Sequence, residues 1–267
     1  MNRLAPLCLL LPLFAACGAK EASLEPELYT AESVADAEGA HTLRLKLREG
    51  DTLVYELHSL DTTSKAVVPG SSEEEGTVTV EMSVRFVDRV TEVANGVYTI
   101  ERTYESPVYR VTATGAYEGQ EERIESMRRD NLPKKQTLRF DERYRSVGEA
   151  TAATGALPED AVREGDTWTT EIQNVSNPRD PAAQFNDMLP KMVHTVGKVE
   201  KLGKWRTLSV ESRPEDSSVL EVGQPGVVWY DLETGVMVQA HFTVNARGQN
   251  TSARSELKLI EFRRGVE

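Results

Sequence analysis

The side chains that could support acid–base or metal chemistry include four histidines and a repeated pair of aspartates. The histidines lie far apart, at residues 41, 58, 194 and 241, and no His-Glu-x-x-His motif brings two of them together. Isolated histidines on strands are more often surface residues or hydrogen-bonded core residues than metal ligands. We therefore predict neither a metal centre nor a cofactor from this set.

The two aspartates belong to a tripeptide, Gly-Asp-Thr, that occurs at residues 50–52 and again at residues 165–167. We expect Gly50 and Gly165 to adopt a positive φ in a turn, with Asp51 and Asp166 binding nearby backbone groups. The alternative is a pseudo-symmetric pair of carboxylates that binds a metal or transfers protons. No flanking ligands accompany either aspartate, so the turn is the favoured interpretation.

The sequence motifs of several common enzyme classes are missing from the chain. It contains no Gly-x-Ser-x-Gly nucleophile turn, no phosphate-binding Gly-x-x-x-x-Gly-Lys and no dinucleotide fingerprint. The acidic run Ser-Ser-Glu-Glu-Glu-Gly at 71–76 lacks the oxygen spacing of a calcium loop. We predict that the protein is not an enzyme. A hydrolase whose Ser-His-Asp site assembles only in space stays open as an alternative, because triads are recognised by geometry.

The N-terminal residues predict export. Arg3 precedes an apolar run at residues 4–16, which is shorter than the roughly 20 residues that span a bilayer. A basic start, a short apolar stretch and small residues at its end are typical of a secretory signal. The sequence Phe-Ala-Ala-Cys ending at Cys17 resembles the lipobox of bacterial lipoproteins. That resemblance implies diacylation of Cys17, cleavage just before it and acylation of the new amino group; the alternative is an ordinary signal with a chance cysteine.

The lipoprotein resemblance also implies a location. Residues 1–17 are predicted to be the lipoprotein signal peptide, and the acyl chains on Cys17 would anchor the protein to a membrane of the bacterial cell envelope. Gly18 stands where an aspartate would retain a lipoprotein in the inner membrane, so the outer membrane is predicted. Cys8 is removed with the signal, so no intrachain disulfide can form and stability must come from a packed core.

Charge and composition restrict the partners. The chain has a net charge of −12 and no basic footprint for nucleic acid. Residues 18–40 are rich in Ala, Glu and Ser and predict a flexible acidic tether, which would reach about 75 Å when extended. A short helix near residues 28–34 is the alternative. We expect anionic headgroups to repel the acidic domain, so that it stands off the membrane on its tether.

Alternation with a period of two predicts a mainly β domain over residues 41–267. Apolar and polar side chains alternate at residues 77–86, and Asn95-Gly96 predicts a hairpin turn. Helices are predicted at residues 121–132 and at 181–189, the second beginning at Pro181. The predicted fold is an antiparallel curved sheet or a partly closed barrel, with one or two short helices.

An internal repeat organises this domain. Residues 47–57 and 162–172 share Arg-Glu-Gly-Asp-Thr and the positions of their apolar side chains. Similar segments precede them at 42–45 and 137–140 and follow them at 87–100 and 196–208, with Val87 matched to Val196. Three matches in the same order predict two related halves, about 41–120 and 136–267, that share one strand order.

The hairpin Trp-Tyr-Asp-Leu-Glu-Thr-Gly at 229–235 and the repeated strand start resemble uncharacterised all-β bacterial lipoproteins. The second half is also similar to envelope carriers of the LolA/LolB type, which implies a half-open barrel that holds acyl chains. Our first hypothesis is a non-enzymatic envelope lipoprotein that binds or scaffolds an envelope protein. The alternative is a carrier of a lipid or another apolar ligand, lined by Phe185, Met188 and Met192. The three tryptophans, Trp168, Trp205 and Trp229, are assigned to the core or to an interface; the alternative is that they wall an apolar ligand cavity.

Overall fold

Thirteen strands pair into one antiparallel sheet in the computed structural model, which describes residues 24–65, 75–147, 157–171, 191–216, 220–221, 225–246 and 251–265. The strands are β1 (Ala31–Ser33), β2 (Thr52–Lys65), β3 (Gly76–Ala94), β4 (Val97–Tyr104), β5 (Val108–Gly115), β6 (Lys135–Asp141), β7 (Thr167–Glu171), β8 (Lys191–Leu202), β9 (Trp205–Pro214), β10 (Leu220–Glu221), β11 (Gly226–Asp231), β12 (Met237–Ala246) and β13 (Thr251–Arg263). Their order is β1-β8-β9-β11-β12-β13-β2-β3-β4-β6, while β5, β7 and β10 pair with β3, β8 and β12. The sheet is open, and the predicted fold class is confirmed.

One helix, α1 (Glu121–Asn131), occurs among the described residues, where the sequence predicts it. Glu121 and Glu122 stand in its first turn and Arg128 and Arg129 in its last, which suits the helix dipole. None of its residues is buried. The second predicted helix, at 181–189, lies outside the described residues.

The sheet buries the face that carries Leu53 and Tyr55 of β2 and Val84 and Phe86 of β3, which we call the inner face. On β3 the buried side chains alternate with more exposed ones, as the period of two predicts. Asn95 and Gly96 have φ of 53° and 74° in the hairpin between β3 and β4. Both angles lie in the left-handed region that a two-residue hairpin turn requires, so this predicted turn is also confirmed.

Residues 41–47 form an extended segment that packs against the inner face. The Leu45 N–H donates to the Glu142 oxygen and the Lys46 N–H donates to the Thr234 oxygen, each at 2.8 Å. The Tyr98 hydroxyl donates to the Leu45 oxygen at 2.6 Å. The segment thereby joins the residues after β6 to the turn between β11 and β12, and its leucines are buried between them.

The sheet is strongly curved. Trp205 on β9 and Phe262 on β13 are separated by β11 and β12, so their strands would lie about 14 Å apart in a flat sheet. Their ring centroids are only 6.1 Å apart. Tyr144, just after β6, similarly lies 6.2 Å from Tyr230 on β11. Strands that are far apart in the order of the sheet therefore approach each other across the inner face.

The two Gly-Asp-Thr turns have the same geometry. Gly50 and Gly165 have φ of 83° and 88°. The Asp51 and Asp166 carboxylates each accept a hydrogen bond from the backbone N–H three residues earlier, at 2.9 and 2.8 Å. This confirms the expectation of turns whose aspartates bind backbone. A strand begins at the threonine of each tripeptide.

The order of strands after these turns is also the same. β2-β3-β4 follows the first turn and β7-β8-β9 the second, and each turn exchanges two backbone hydrogen bonds with one valine, Val90 or Val196. The sequence match of Val87 with Val196 is therefore wrong by three residues, since Val90 is the equivalent of Val196. β8 also has two more residues than β3 between this valine and its hairpin turn. Residues 42–45 and 137–140 also differ, since only the second segment forms a strand.

The N-terminal residues bind the sheet, which corrects the predicted tether. The Gln239 side-chain amide accepts from the Tyr29 N–H at 2.7 Å and donates to the Tyr29 oxygen at 3.3 Å. β1 then pairs with β8, so the alternative of a helix near 28–34 is wrong as well. The Glu25 carboxylate already lies 3.6 Å from Arg254. A free tether remains a prediction only for residues 18–23, which lie outside the described residues.

Candidate ligand cavity on the inner face

A cavity of about 100 Å³ lies on the inner face beside residues 45–47. It is bounded by aliphatic, aromatic and charged side chains: Leu45, Leu47, Leu53, Ile100, Val236, Met237 and Leu257; Tyr55, Phe86, Phe140, Tyr144 and Tyr230; and Asp88 and Arg102. Most of these walls are apolar. Apolar cavities stay dry and take up small apolar molecules.

Aromatic rings form a continuous part of the wall. Tyr55 stacks on Phe86 with ring centroids 5.2 Å apart. On the other side, Tyr144 lies 6.0 Å from Phe140 and 6.2 Å from Tyr230. These spacings are typical of favourable aromatic pairs.

Tyr144 reaches this wall through an unusual backbone conformation. Its φ is 60°, in the left-handed region that bulky residues rarely adopt. Its N–H donates to the Asp141 oxygen at 3.0 Å, and its hydroxyl donates to the Gly235 oxygen at 3.2 Å. The first contact closes the turn after β6, and the second holds this turn against the one between β11 and β12. Such a strained residue is characteristic of a positioned site.

An ion pair interrupts the apolar wall. Arg102 donates to both carboxylate oxygens of Asp88, from Nε at 2.7 Å and from Nη2 at 2.8 Å. The guanidinium also lies 4.1 Å from the centroid of the Phe86 ring. Burial disfavours the charge on Arg102, but the hydrogen bonds to Asp88 outweigh it, so the pKa of Arg102 is raised. The Arg102 guanidinium is therefore charged at neutral pH.

The phenols around the cavity remain neutral. Burial raises the pKa of Tyr55 and of Tyr230, and it raises the pKa of Tyr144 well above its ordinary value. The cavity thus combines apolar walls, neutral hydroxyl groups and one compensated ion pair. This arrangement can bind an apolar body and offer a hydrogen bond to one polar group, since a guanidinium has five N–H donors.

The histidines lie elsewhere, each beside other polar side chains. His194 is buried between the Thr170 hydroxyl at 2.7 Å and the Ser212 hydroxyl at 2.8 Å, and burial lowers its pKa to about 4. His58, on the face opposite the cavity, lies 3.2 Å from Glu81. Within the described residues, no group of three or more His, Cys, Asp or Glu side chains could hold a metal ion.

The residues predicted from sequence to contact a ligand lie outside this cavity or outside the described residues. Phe185 and Met188 fall in the second group, as does the predicted lipidation site, Cys17. Met192 lies on β8 opposite Thr170 and Pro214, so its contact with a ligand stays a prediction. The tryptophans do not line the cavity in the described part of the chain: Trp205 belongs to the core, Trp168 stacks on His194 at 4.9 Å, and Trp229 donates to Glu200 at 2.7 Å.

Sequence reasoning missed Asp88 and Arg102, although a signal for both was present. Asp88 stands in phase with Val84 and Phe86 on β3, at a position where the alternation requires an inner-face side chain. Arg102 stands directly opposite Asp88 on β4. Charged residues of opposite sign at inward positions of neighbouring strands indicate a buried ion pair.

No protein-family model and no curated protein matches the sequence. Among solved structures, the chain is similar to lipovitellin, from a study of its lipid–protein interactions, with 9% identity and a TM-score of 0.42 over 83% of this chain. The match spans only 26% of the lipovitellin chain. A DUF1329 family protein from Desulfovibrio piger is 9% identical, with a TM-score of 0.16 over 82% of this chain and 87% of that one. Both scores are too low to argue function from either protein.

In the ranges that the structure describes, no helix has both the length and the apolar character needed to cross a bilayer.

Proposed function

We propose that this protein binds a small apolar molecule, or the apolar end of a larger one, in the inner-face cavity. The observation that carries the proposal is a space of about 100 Å³ between aliphatic and aromatic side chains. The two hypotheses drawn from the sequence differ in whether they require a cavity. A ligand-binding protein needs one, whereas a scaffold needs only a filled core. A cavity walled by Tyr55, Phe86 and Tyr230 supports the ligand-binding hypothesis over the scaffold.

The ion pair suggests which ligands suit the cavity. Arg102 spends two donors on Asp88 and has further N–H groups, so a ligand oxygen at the edge of the cavity can accept a hydrogen bond. A second full charge is disfavoured there, because the pair is already compensated and desolvation of another ion is costly. The proposed ligand class is therefore an uncharged amphiphile, such as an alcohol or ester with a short apolar chain.

A series of straight-chain alcohols tests this function. The contacts described above begin at Glu25, so a chain starting at residue 18 keeps all of them. We expect its affinity by calorimetry to rise about fourfold for each added methylene, which corresponds to about 0.8 kcal/mol. The affinity should stop rising once the alkyl chain of the alcohol fills the cavity. An affinity that rises without a limit would indicate general adsorption and contradict a defined cavity.

Substitutions at Leu257 supply the matched variants. Leu257→Trp places a bulky ring in the cavity and should abolish binding of the alcohols. Leu257→Ala enlarges the cavity, so the affinity should stop rising only at a longer alcohol. Leu60→Trp, on the opposite face of β2, is the control. Circular dichroism confirms folding of each variant. Unchanged alcohol binding by both Leu257 variants would refute the proposal.

The proposal includes membrane anchoring and a binding role without catalysis. Cys17 would carry the acyl chains, with the protein facing the periplasm or the cell surface from the outer membrane. Cys17→Ser should leave an uncleaved precursor without acyl groups, detected by mass spectrometry of the membrane fraction. Normal processing of this variant, with retention in the membrane, would show that the lipoprotein assignment is wrong.

A further inference from the structure

A second, larger cleft lies at the end of the sheet where β8 turns into β9. Its volume is about 730 Å³, and none of its lining residues belongs to the inner-face cavity. Residues 38–46, the start of β9, the turn between β11 and β12 and the end of β13 surround it. We call it the end cleft.

A cationic side chain lies over each of two aromatic rings in the end cleft. Trp205 and Phe262 lie 6.1 Å apart, as described above. The Lys204 ammonium lies 4.7 Å from the Trp205 ring centroid, and the Arg264 guanidinium lies 4.8 Å from the Phe262 centroid. The cleft therefore places positive charge directly beside apolar surface.

The charges of the cleft are unevenly compensated. Arg206 lies 2.8 Å from Glu38, and Arg264 lies 2.9 Å from Asp51. Lys46 and Lys204 line the same cleft, and neither forms an ion pair with a carboxylate in the described part of the chain. Both side chains are exposed, so their ammonium groups are accessible to a ligand.

The acidic residues of the lining contact groups other than these two lysines. The Asp231 carboxylate accepts from the Thr234 N–H at 2.9 Å and from the Thr234 hydroxyl at 2.5 Å. It is almost fully buried within its own turn. Glu233 lies 3.9 Å from Arg264. In the described part of the chain, Lys46 and Lys204 have no carboxylate at ion-pair distance, and their two ammonium groups mark the cleft as a place for an added anion.

We propose that the end cleft binds a phosphate monoester carried on an apolar body. Such a group has a charge of about −1.5 to −2 at neutral pH, which matches two lysines. Lysine is a common phosphate ligand, and the half-buried Phe262 ring provides apolar contact for the rest of the molecule. This site is separate from the proposed function of the inner-face cavity.

Both a lipid headgroup and a soluble phosphate ester have this chemistry. A Cβ on Gly203 would lie 3.1 Å from the Tyr29 ring, so the N-terminal segment passes the turn that carries Lys204. If Cys17 is the anchor proposed above, the twelve residues from there to Tyr29 keep this turn within about 43 Å of the membrane. A lipid headgroup is therefore within the reach of the cleft.

Calorimetry with hexyl phosphate tests the site, using the chain from residue 18. We expect hexyl phosphate to bind more tightly than inorganic phosphate or hexanol. Lys46→Gln and Lys204→Gln should each weaken its binding about tenfold, as expected for a lost charge-assisted hydrogen bond. Lys201→Gln, an exposed lysine on β8 outside the cleft, is the control with the same change in charge.

Absent binding, an equal loss in all three lysine variants, or equal affinity for inorganic phosphate would overturn the proposal. Leu257→Trp should leave hexyl phosphate binding unchanged, which separates this site from the inner-face cavity. Sedimentation with vesicles then distinguishes the two sources. Lysine-dependent binding to phosphatidic acid but not to phosphatidylcholine supports a lipid headgroup. Hexyl phosphate binding without vesicle binding supports a soluble ester.

Discussion

Replacing Arg102 with alanine would leave the Asp88 carboxylate without its partner inside the sheet. The Asp88 side chain is only 8% exposed, so water can replace little of the lost hydrogen bonding. Removing one member of a buried ion pair typically costs 3–5 kcal/mol. Since a quarter of the Arg102 side chain is exposed, we expect the lower end, about 3 kcal/mol of unfolding free energy.

Urea denaturation with linear extrapolation measures this loss. Arg85→Ala on β3, the strand that carries Asp88, is the control, because the Arg85–Glu105 pair is 3.7 Å long and about half exposed. An exposed pair of this kind contributes at most about 1 kcal/mol.

The double substitution Asp88→Leu with Arg102→Leu completes the test. It removes both charges and should recover most of the stability, since apolar residues of similar volume often replace a buried ion pair without loss. Equal losses in Arg102→Ala and Arg85→Ala would refute the reasoning. A double variant as unstable as Arg102→Ala would also refute it, because the unpaired charge would then not be the cause.

Three further predictions concern other parts of the fold. Because the folded pKa of His194 is about 4, below its unfolded value near 6.5, stability should fall by up to roughly 3 kcal/mol between pH 6.5 and 4 and then level off. Urea titrations should show a flatter profile for His194→Gln, and identical profiles would contradict the prediction. Gly50→Ala should cost more than Gly165→Ala, since both have positive φ but only a Cβ at Gly50 meets a neighbour, Gly265 at 3.2 Å; equal melting temperatures would be the contrary result. Gln239→Ala should speed amide hydrogen exchange over β1 and lower stability by about 1–2 kcal/mol, and unchanged exchange there would show that Gln239 does not hold the N-terminal segment.

Much of the strand content could be predicted, because strand alternation and turn chemistry are local. The hairpin at Asn95-Gly96 depends on two residues that tolerate positive φ. The Gly-Asp-Thr turns depend on a glycine and on a carboxylate that reaches a backbone N–H three residues away. The predictions failed where residues distant in sequence determine the structure. Gln239 binds Tyr29, 210 positions away, so the predicted tether is instead a segment that packs on the sheet.

The candidate site was far less predictable. Its walls combine residues from 45 to 257, and the ligand-contacting residues predicted from sequence are not among them in the described part of the chain. The inward positions of Asp88 and Arg102 could be inferred from alternation, but their pairing required the register of β3 against β4. Tyr144 had no local signal, since its φ of 60° is maintained by contacts with Asp141 and Gly235.

By itself, the sequence determined the strands, their tight turns, the repeated turn and the prediction of a lipidated N-terminus, because each depends on neighbouring residues. Only the tertiary structure decided how strongly the sheet curves, where residues 41–47 pack and which side chains enclose the two cavities. Those features depend on the order and register of thirteen strands. Side chains such as Trp205 and Phe262 come into contact only after distant strands have paired, so no local sequence pattern predicts their contact.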